Sequence, residues 1–170
     1  MTTRKHIVKI AKSYLGAKQG SAKHKKLVDT FNKKHPHGEK GTYTCPWCAI
    51  TWTAWAILAG MKMSETPMSC NCGTLIAEAK RLKIWVENDN YLPRKGDGII
   101  YDWSDTGTPK ENKDGCDHVG LVVYRNKLTG TIKIIEGNYS TQKKVAYRKI
   151  KRNQRYIRGF ITPRYKKGKK

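Results

Sequence analysis

Between residues 4 and 15, Ile7, Ile10, Ala11, Tyr14 and Leu15 recur at the spacing of one helix face, and Gly16 follows as a stop. Ser21 can cap a second helix that presents Leu27, Val28 and Phe31. The stretch "NKKHPHGEKGTYTCP" has no period and carries two prolines and two glycines, so it reads as loop. Cys48 then opens a third helix, "CAITWTAWAILAG". Cys48, Trp52, Trp55 and Ala59 form one stripe, while Ile50, Ala54, Ile57 and Leu58 cover much of the rest. A helix apolar nearly all round belongs at the centre of a core. The stretch "SETPMSCNCG" reads as loop, and "TLIAEAKRLKIW" as a fourth helix.

The second half changes period. "GDGIIYDW" reads as a strand opened by a Gly-Asp turn. "DHVGLVVYR" alternates His118, Gly120, Val122 and Tyr124 against Val119, Leu121 and Val123. "TIKIIEG" puts Ile132, Ile134 and Glu136 on one face, and the short link "NKLTG" makes these two a hairpin. "KVAYRKI" and "YIRGFITP" are further strands. Helices first and strands after, without alternation, predict an α+β fold with an antiparallel sheet. The 170 residues suffice for one domain with a proper core, and neither an internal repeat nor a linker divides them.

Charge changes the picture. Lys plus Arg is 35 against 13 Asp plus Glu, a formal net charge of +22. That exceeds what solubility requires and points to a polyanionic partner: nucleic acid, an anionic membrane or the anionic polymers of a cell wall. No apolar run reaches the roughly 18 residues of a membrane span. The start, "MTTRKHIVKIAKSYLG", lacks the continuous apolar core of a secretory signal, so synthesis in a reducing compartment is expected.

The cysteines are Cys45, Cys48, Cys70, Cys72 and Cys116, an odd number that cannot all pair within one chain. Cys45-x-x-Cys48 admits three readings. A thioredoxin-type dithiol would follow a strand in a βαβ unit, and none surrounds it. A zinc site could join Cys45 and Cys48 to Cys70 and Cys72, although C-x-C is tighter than usual. Alternatively Cys48 acts alone. At a helix N-terminus the macrodipole favours its thiolate, and Pro46 suits such a start. A thiolate nucleophile needs a base and the base an orienting acceptor. Four of the five histidines lie in the polar first 37 residues, and His118 opens an apolar strand. Glu136 and Asn138 stand on the neighbouring strand, where either could accept from the His118 ring. Cys45, three residues before Cys48, could cap that thiol by oxidation.

The set "PWCAITWTAW", "LPRKGDGIIYDW", "DHVGLVV", "IEGN" and "IRGFITP", in this order, resembles the CHAP domain, the cysteine- and histidine-dependent amidohydrolase/peptidase. The resemblance runs from about Thr42 to Pro163 and implies a papain-like fold with N-terminal helices packed on the sheet. It divides the chain into a helical lead-in (1–41), a core (42–163) and a basic tail (164–170). "GSAKHKKLVDTFN" also resembles the lead-in of phage lysins. Carried over residue by residue, Cys48 matches the nucleophile, His118 the base, Glu136 the orienting acid and Asn138 a further polar residue. The resemblance implies hydrolysis of an amide bond in peptidoglycan. The backbone N–H of Cys48 would hold the oxyanion, and Tyr43 could lend a second donor.

The expectations that follow are a phage or prophage endolysin, made in the host cytoplasm and acting at the wall after release. It would be a monomer whose partners are peptidoglycan and anionic wall polymers, with no specific nucleic acid. Some relatives hold calcium through acids just before the nucleophile. Here that segment offers only Glu39, so neither metal nor cofactor is expected. The acidic loop 102 to 117 has no regular ligand spacing. Two other readings stay open: a zinc-stabilised nucleic-acid-binding protein, and a papain-like amidohydrolase with a substrate outside the wall.

Overall fold

The computed structural model describes residues 2–88, 90–105 and 115–166. Glu111 and Asp114 of the acidic loop, and the tail beyond Lys166, lie outside the described residues.

Four α-helices precede most of the sheet: α1 (Arg4–Ser13), α2 (Ala22–Lys34), α3 (Cys48–Leu58) and α4 (Cys72–Arg81). Ser21 caps α2 by accepting from the His24 N–H. Six strands follow: β1 (Trp85–Val86), β2 (Gly98–Tyr101), β3 (His118–Arg125), β4 (Thr131–Tyr139), β5 (Lys144–Lys151) and β6 (Ile157–Ile161). They form one sheet in the order β1-β6-β2-β3-β4-β5, and every pairing is antiparallel. The α+β expectation holds.

α3 is the axis of the molecule. It packs against α1, α2, β3 and β4, and Trp52 and Trp55 are both 1% exposed. Val119, Leu121, Val123 and Ile135 of the sheet meet this helical core. The alternate positions Val122, Ile132 and Ile134, with Ile99 and Tyr101, make a smaller cluster on the other face.

The fourth helix departs from expectation at both ends. It begins at Cys72, where the sequence suggests loop, because Asn71 caps it by accepting from the Thr74 N–H at 3.1 Å. It ends at Arg81, and Lys83 turns left-handed at φ 56°. Trp85, read as helical, therefore lies in β1, paired with Ile161. The Pro-x-x-Gly-Asp turn is structural. Asp97 is fully buried and accepts from Arg4, from the Tyr91 hydroxyl at 2.7 Å and from the Arg94 N–H at 2.7 Å, which ties the turn to α1.

Candidate active site

Cys48 is the first residue of α3, and Trp47 stands at the N-cap without a side-chain cap bond. The first-turn N–H groups of a helix lack intrahelical acceptors, so this end is electropositive. The segment before α4 is fastened across it. Thr53 of α3 donates to the Ser69 carbonyl at 2.9 Å and accepts from the Ser69 N–H at 3.0 Å. The Trp52 indole donates to the Pro67 carbonyl at 3.1 Å. Glu39 accepts from the Ser69 hydroxyl and from the Cys70 N–H at 2.7 Å. The N-terminus of α4, with Cys72, is thereby held beside that of α3.

His118 opens β3 opposite Tyr101 of β2, and the two rings lie 5.9 Å apart. The His118 Nε2 is 3.1 Å from the Glu136 Oε2, which leaves Nδ1 for Cys48. Glu136 is fully buried in β4 and is held from two more directions. The Tyr101 hydroxyl donates to its Oε1 at 2.8 Å, and the Arg148 Nε to both oxygens at 3.0 Å. Two glycines make this arrangement possible. A Cβ at Gly120 would overlap the Ile134 and Glu136 side chains, and one at Gly137 would overlap Thr51, one turn past Cys48. Within "DHVG" and "IEGN", then, the glycines clear space for the carboxylate and let β4 abut α3.

The charges sum to zero. With Cys48 as thiolate and His118 protonated, the chain Cys48–His118–Glu136–Arg148 alternates negative and positive, which burial demands. The Cys48 thiol is held well below its usual range. The Cys72 thiol beside it contributes most, against burial, followed by His118. Burial works hardest against a charged His118, yet Cys48 and Glu136 together outweigh it and raise the imidazole to about 9. Both shifts favour a thiolate–imidazolium pair. Such a pair can attack a carbonyl carbon and then protonate the leaving group.

A cavity of about 310 Å³ opens at Cys48, and all five cysteines line it. They differ in what they touch. Cys45 donates to the Thr42 carbonyl at 3.1 Å, whereas Cys72 is the thiol that acts most on the ionisation of Cys48. Four of these thiols are the proposed zinc set. Among the described residues, however, no group of three or more His, Cys, Asp or Glu side chains is placed to hold a metal ion.

Cys48, His118 and Glu136 thus come together. Asn138 lies two residues beyond Glu136, half-buried, with left-handed backbone at φ 54° where the β4–β5 pairing is irregular. Its side chain makes no hydrogen bond to that set among the described residues. Tyr43 is committed elsewhere: its hydroxyl donates to Asp29 at 2.7 Å. The sequence reading missed Tyr101, Arg148 and Cys72. Tyr101 was legible as the partner of His118 once the strands were paired. Arg148 was hidden among the alternating charges of β5.

The central helix α3 packed on an antiparallel sheet, with Cys48, His118 and Glu136 brought together between them, is the α+β arrangement of a papain-like fold. The CHAP domain family matches residues 37–138, more than half of the chain, and the protein belongs to that family of cysteine- and histidine-dependent amidohydrolases. No curated protein matches the chain. Among solved structures, the protein reported as "The crystal structure of Ly7917" is similar at 12% identity with a TM-score of 0.48. The match covers 95% of this chain and 63% of that one, so this chain accounts for under two thirds of that protein's length.

Proposed function

We propose that this protein is a peptidoglycan hydrolase of the phage or prophage endolysin type, cleaving an amide bond through Cys48, His118 and Glu136. The observation that carries the reading is the Cys48 thiol at the α3 N-terminus beside a histidine whose Nε2 is 3.1 Å from the buried Glu136. Family membership supplies the reaction class, and the net charge of +22 supports a wall rich in anionic polymers.

In the first half-reaction the Cys48 thiolate attacks the amide carbon, and a C–S bond forms. The negative charge moves to the carbonyl oxygen, which the first-turn N–H groups of α3 are oriented to receive. His118 gives its proton to the amide nitrogen, the C–N bond breaks, and the amine leaves. A water then attacks the thioester carbon, forming a C–O bond and passing a proton to His118, and the C–S bond breaks with its electron pair returning to sulfur. The product acid departs, and the thiolate–imidazolium pair is restored. Glu136 keeps the imidazole turned toward sulfur throughout, and Arg148 and Tyr101 keep Glu136 in place. Asn138 is assigned an auxiliary polar role at the end of β4.

Two consequences are measurable. The active form has lost the Cys48 proton and kept that of His118. Activity on purified walls should therefore rise as Cys48 loses its proton, well below the usual thiol range, and fall as His118 loses its proton near pH 9. A rate still climbing at pH 10 would contradict a protonated His118 as the working form. The positive field should also draw the protein to the anionic wall. Binding to purified walls should weaken severalfold or more between low and high salt, because screening shortens the reach of exposed charges to roughly 3 Å at 1 M. Salt-independent binding in a sedimentation assay would remove electrostatics from the account. The direct test of the reading itself is loss of turbidity of purified walls on adding the protein.

A further inference from the structure

Arg148 reaches Glu136 through Nε alone, at 3.0 Å from each carboxylate oxygen. Its Nη1 and Nη2 donate to nothing among the described residues. The side chain is 23% exposed, and neither nitrogen is sealed from solvent. Holding Glu136 needs only the Nε edge, so the outer fork of the guanidinium is left for another acceptor.

An aromatic shelf lies beside that fork. The Arg148 guanidinium carbon is 4.8 Å from the Trp103 ring centre and 4.6 Å from that of Tyr139. Trp103 stacks on the buried Tyr101 ring at 4.5 Å, 13° from parallel, and Tyr156 supports it at 5.0 Å. Its backbone N–H donates to Asp117 at 2.7 Å, one residue before His118. The indole is thus fixed in place, yet Trp103 is 42% exposed. The shelf also borders the chemistry. The Trp103 and His118 rings lie 6.5 Å apart, and Arg148 and His118 share the Glu136 Oε2.

These two features select a ligand with an anionic end and an apolar body. A carboxylate accepts two parallel N–H bonds from a guanidinium fork, and carbon groups behind it pack on the indole. The series Cys48–His118–Glu136–Arg148 alternates in sign, and a carboxylate beyond Arg148 continues the alternation.

We propose that Arg148 and Trp103 form a substrate subsite, in which the outer guanidinium fork binds a carboxylate of the substrate's peptide strand while the indole carries the adjoining residue. The use of the subsite in catalysis rests on the hydrolase reading above. Its binding chemistry stands apart from that reading.

The test uses the full chain with Cys48→Ala, so that nothing is cleaved. It is titrated with acetyl-alanyl-alanine and, separately, with the C-terminal amide of that dipeptide. NMR follows the Arg148 Nε–H and the Trp103 indole N–H. The acid should move both signals and bind about tenfold more tightly than the amide, since a charge-assisted pair is lost in the latter. No preference for the acid overturns the proposal. Inorganic phosphate that binds as well as the acid also overturns it, by assigning the fork to wall-polymer phosphates.

A second measurement compares rates of amide cleavage on peptidoglycan before and after its carboxylates are amidated with methylamine. Wild type should slow by about tenfold. Arg148→Lys keeps the charge without the fork, so amidation should slow it much less. An equal loss in both would be an effect of net charge alone and would sink the subsite. Trp103→Ala should raise KM severalfold, and Trp103→Tyr should recover most of that; an unmoved KM in Trp103→Ala removes the shelf. A preference for the acid dipeptide in a protein that cleaves no wall keeps the subsite and sinks the hydrolase reading. Wall cleavage without any acid preference does the reverse.

Discussion

Cys48→Ala should remove wall lysis almost completely, by about a millionfold in kcat on the precedent of nucleophile deletion in other triad enzymes. The substitution deletes one sulfur atom at a site that borders the cavity, so little packing is lost. His118 is left with Glu136 as its partner and can release its proton to solvent, so no charge is stranded. The melting temperature should therefore stay close to that of wild type. This combination, catalysis lost and fold retained, separates a chemical role from a structural one. Cys48→Ser should be nearly as inactive, because an alcohol is not ionised by the same surroundings.

The second large effect concerns His118 and Glu136, and here the structure alters what the sequence suggests. His118→Ala should cost about as much as losing the nucleophile, and loss of the orienting acid about a hundredfold less, since proton transfer outweighs orientation. But Glu136 also neutralises Arg148 and accepts from the buried Tyr101 hydroxyl. Glu136→Ala would leave a half-buried guanidinium and a buried hydroxyl without their acceptor. Breaking such a pair costs on the order of 3 kcal/mol, a large share of the roughly 5–15 kcal/mol that holds a domain together. Glu136→Ala should therefore lose stability as well as activity. Glu136→Gln keeps one carbonyl oxygen and should melt between the two. Melting curves beside kcat/KM for the three variants check this. Unchanged stability in Glu136→Ala would contradict the Arg148–Glu136 pair.

The ease of reading the site from sequence followed the periodicity around each residue. Cys48 was visible because it opens eleven residues of nearly unbroken apolar helix, Cys48–Leu58, and a proline-bearing loop precedes it. His118 and Glu136 were visible because β3 and β4 alternate cleanly and a short link pairs them. Arg148 was not, for a physical reason. β5 has one wet face, so its charges look like ordinary solvated side chains. Only the register, with Ala146 opposite Glu136 and Arg148 opposite Ile134, brings the guanidinium diagonally onto the carboxylate. Cys72 was hidden differently. "SCNCG" has the composition of a turn, and its last cysteine becomes helical because Asn71 caps α4. The neighbour first suspected of touching Cys48, Cys45, is closest in sequence but bonds back to its own loop.

The central claim is that Cys48 hydrolyses an amide bond of the wall. Mass spectrometry of fragments released from purified peptidoglycan, wild type beside Cys48→Ala, tests it most directly. Wild type should release fragments bearing a new amine and a new carboxylate at one kind of amide bond, and Cys48→Ala should release none. Fragments cut at glycosidic bonds, or the same amide products from Cys48→Ala, would contradict the account.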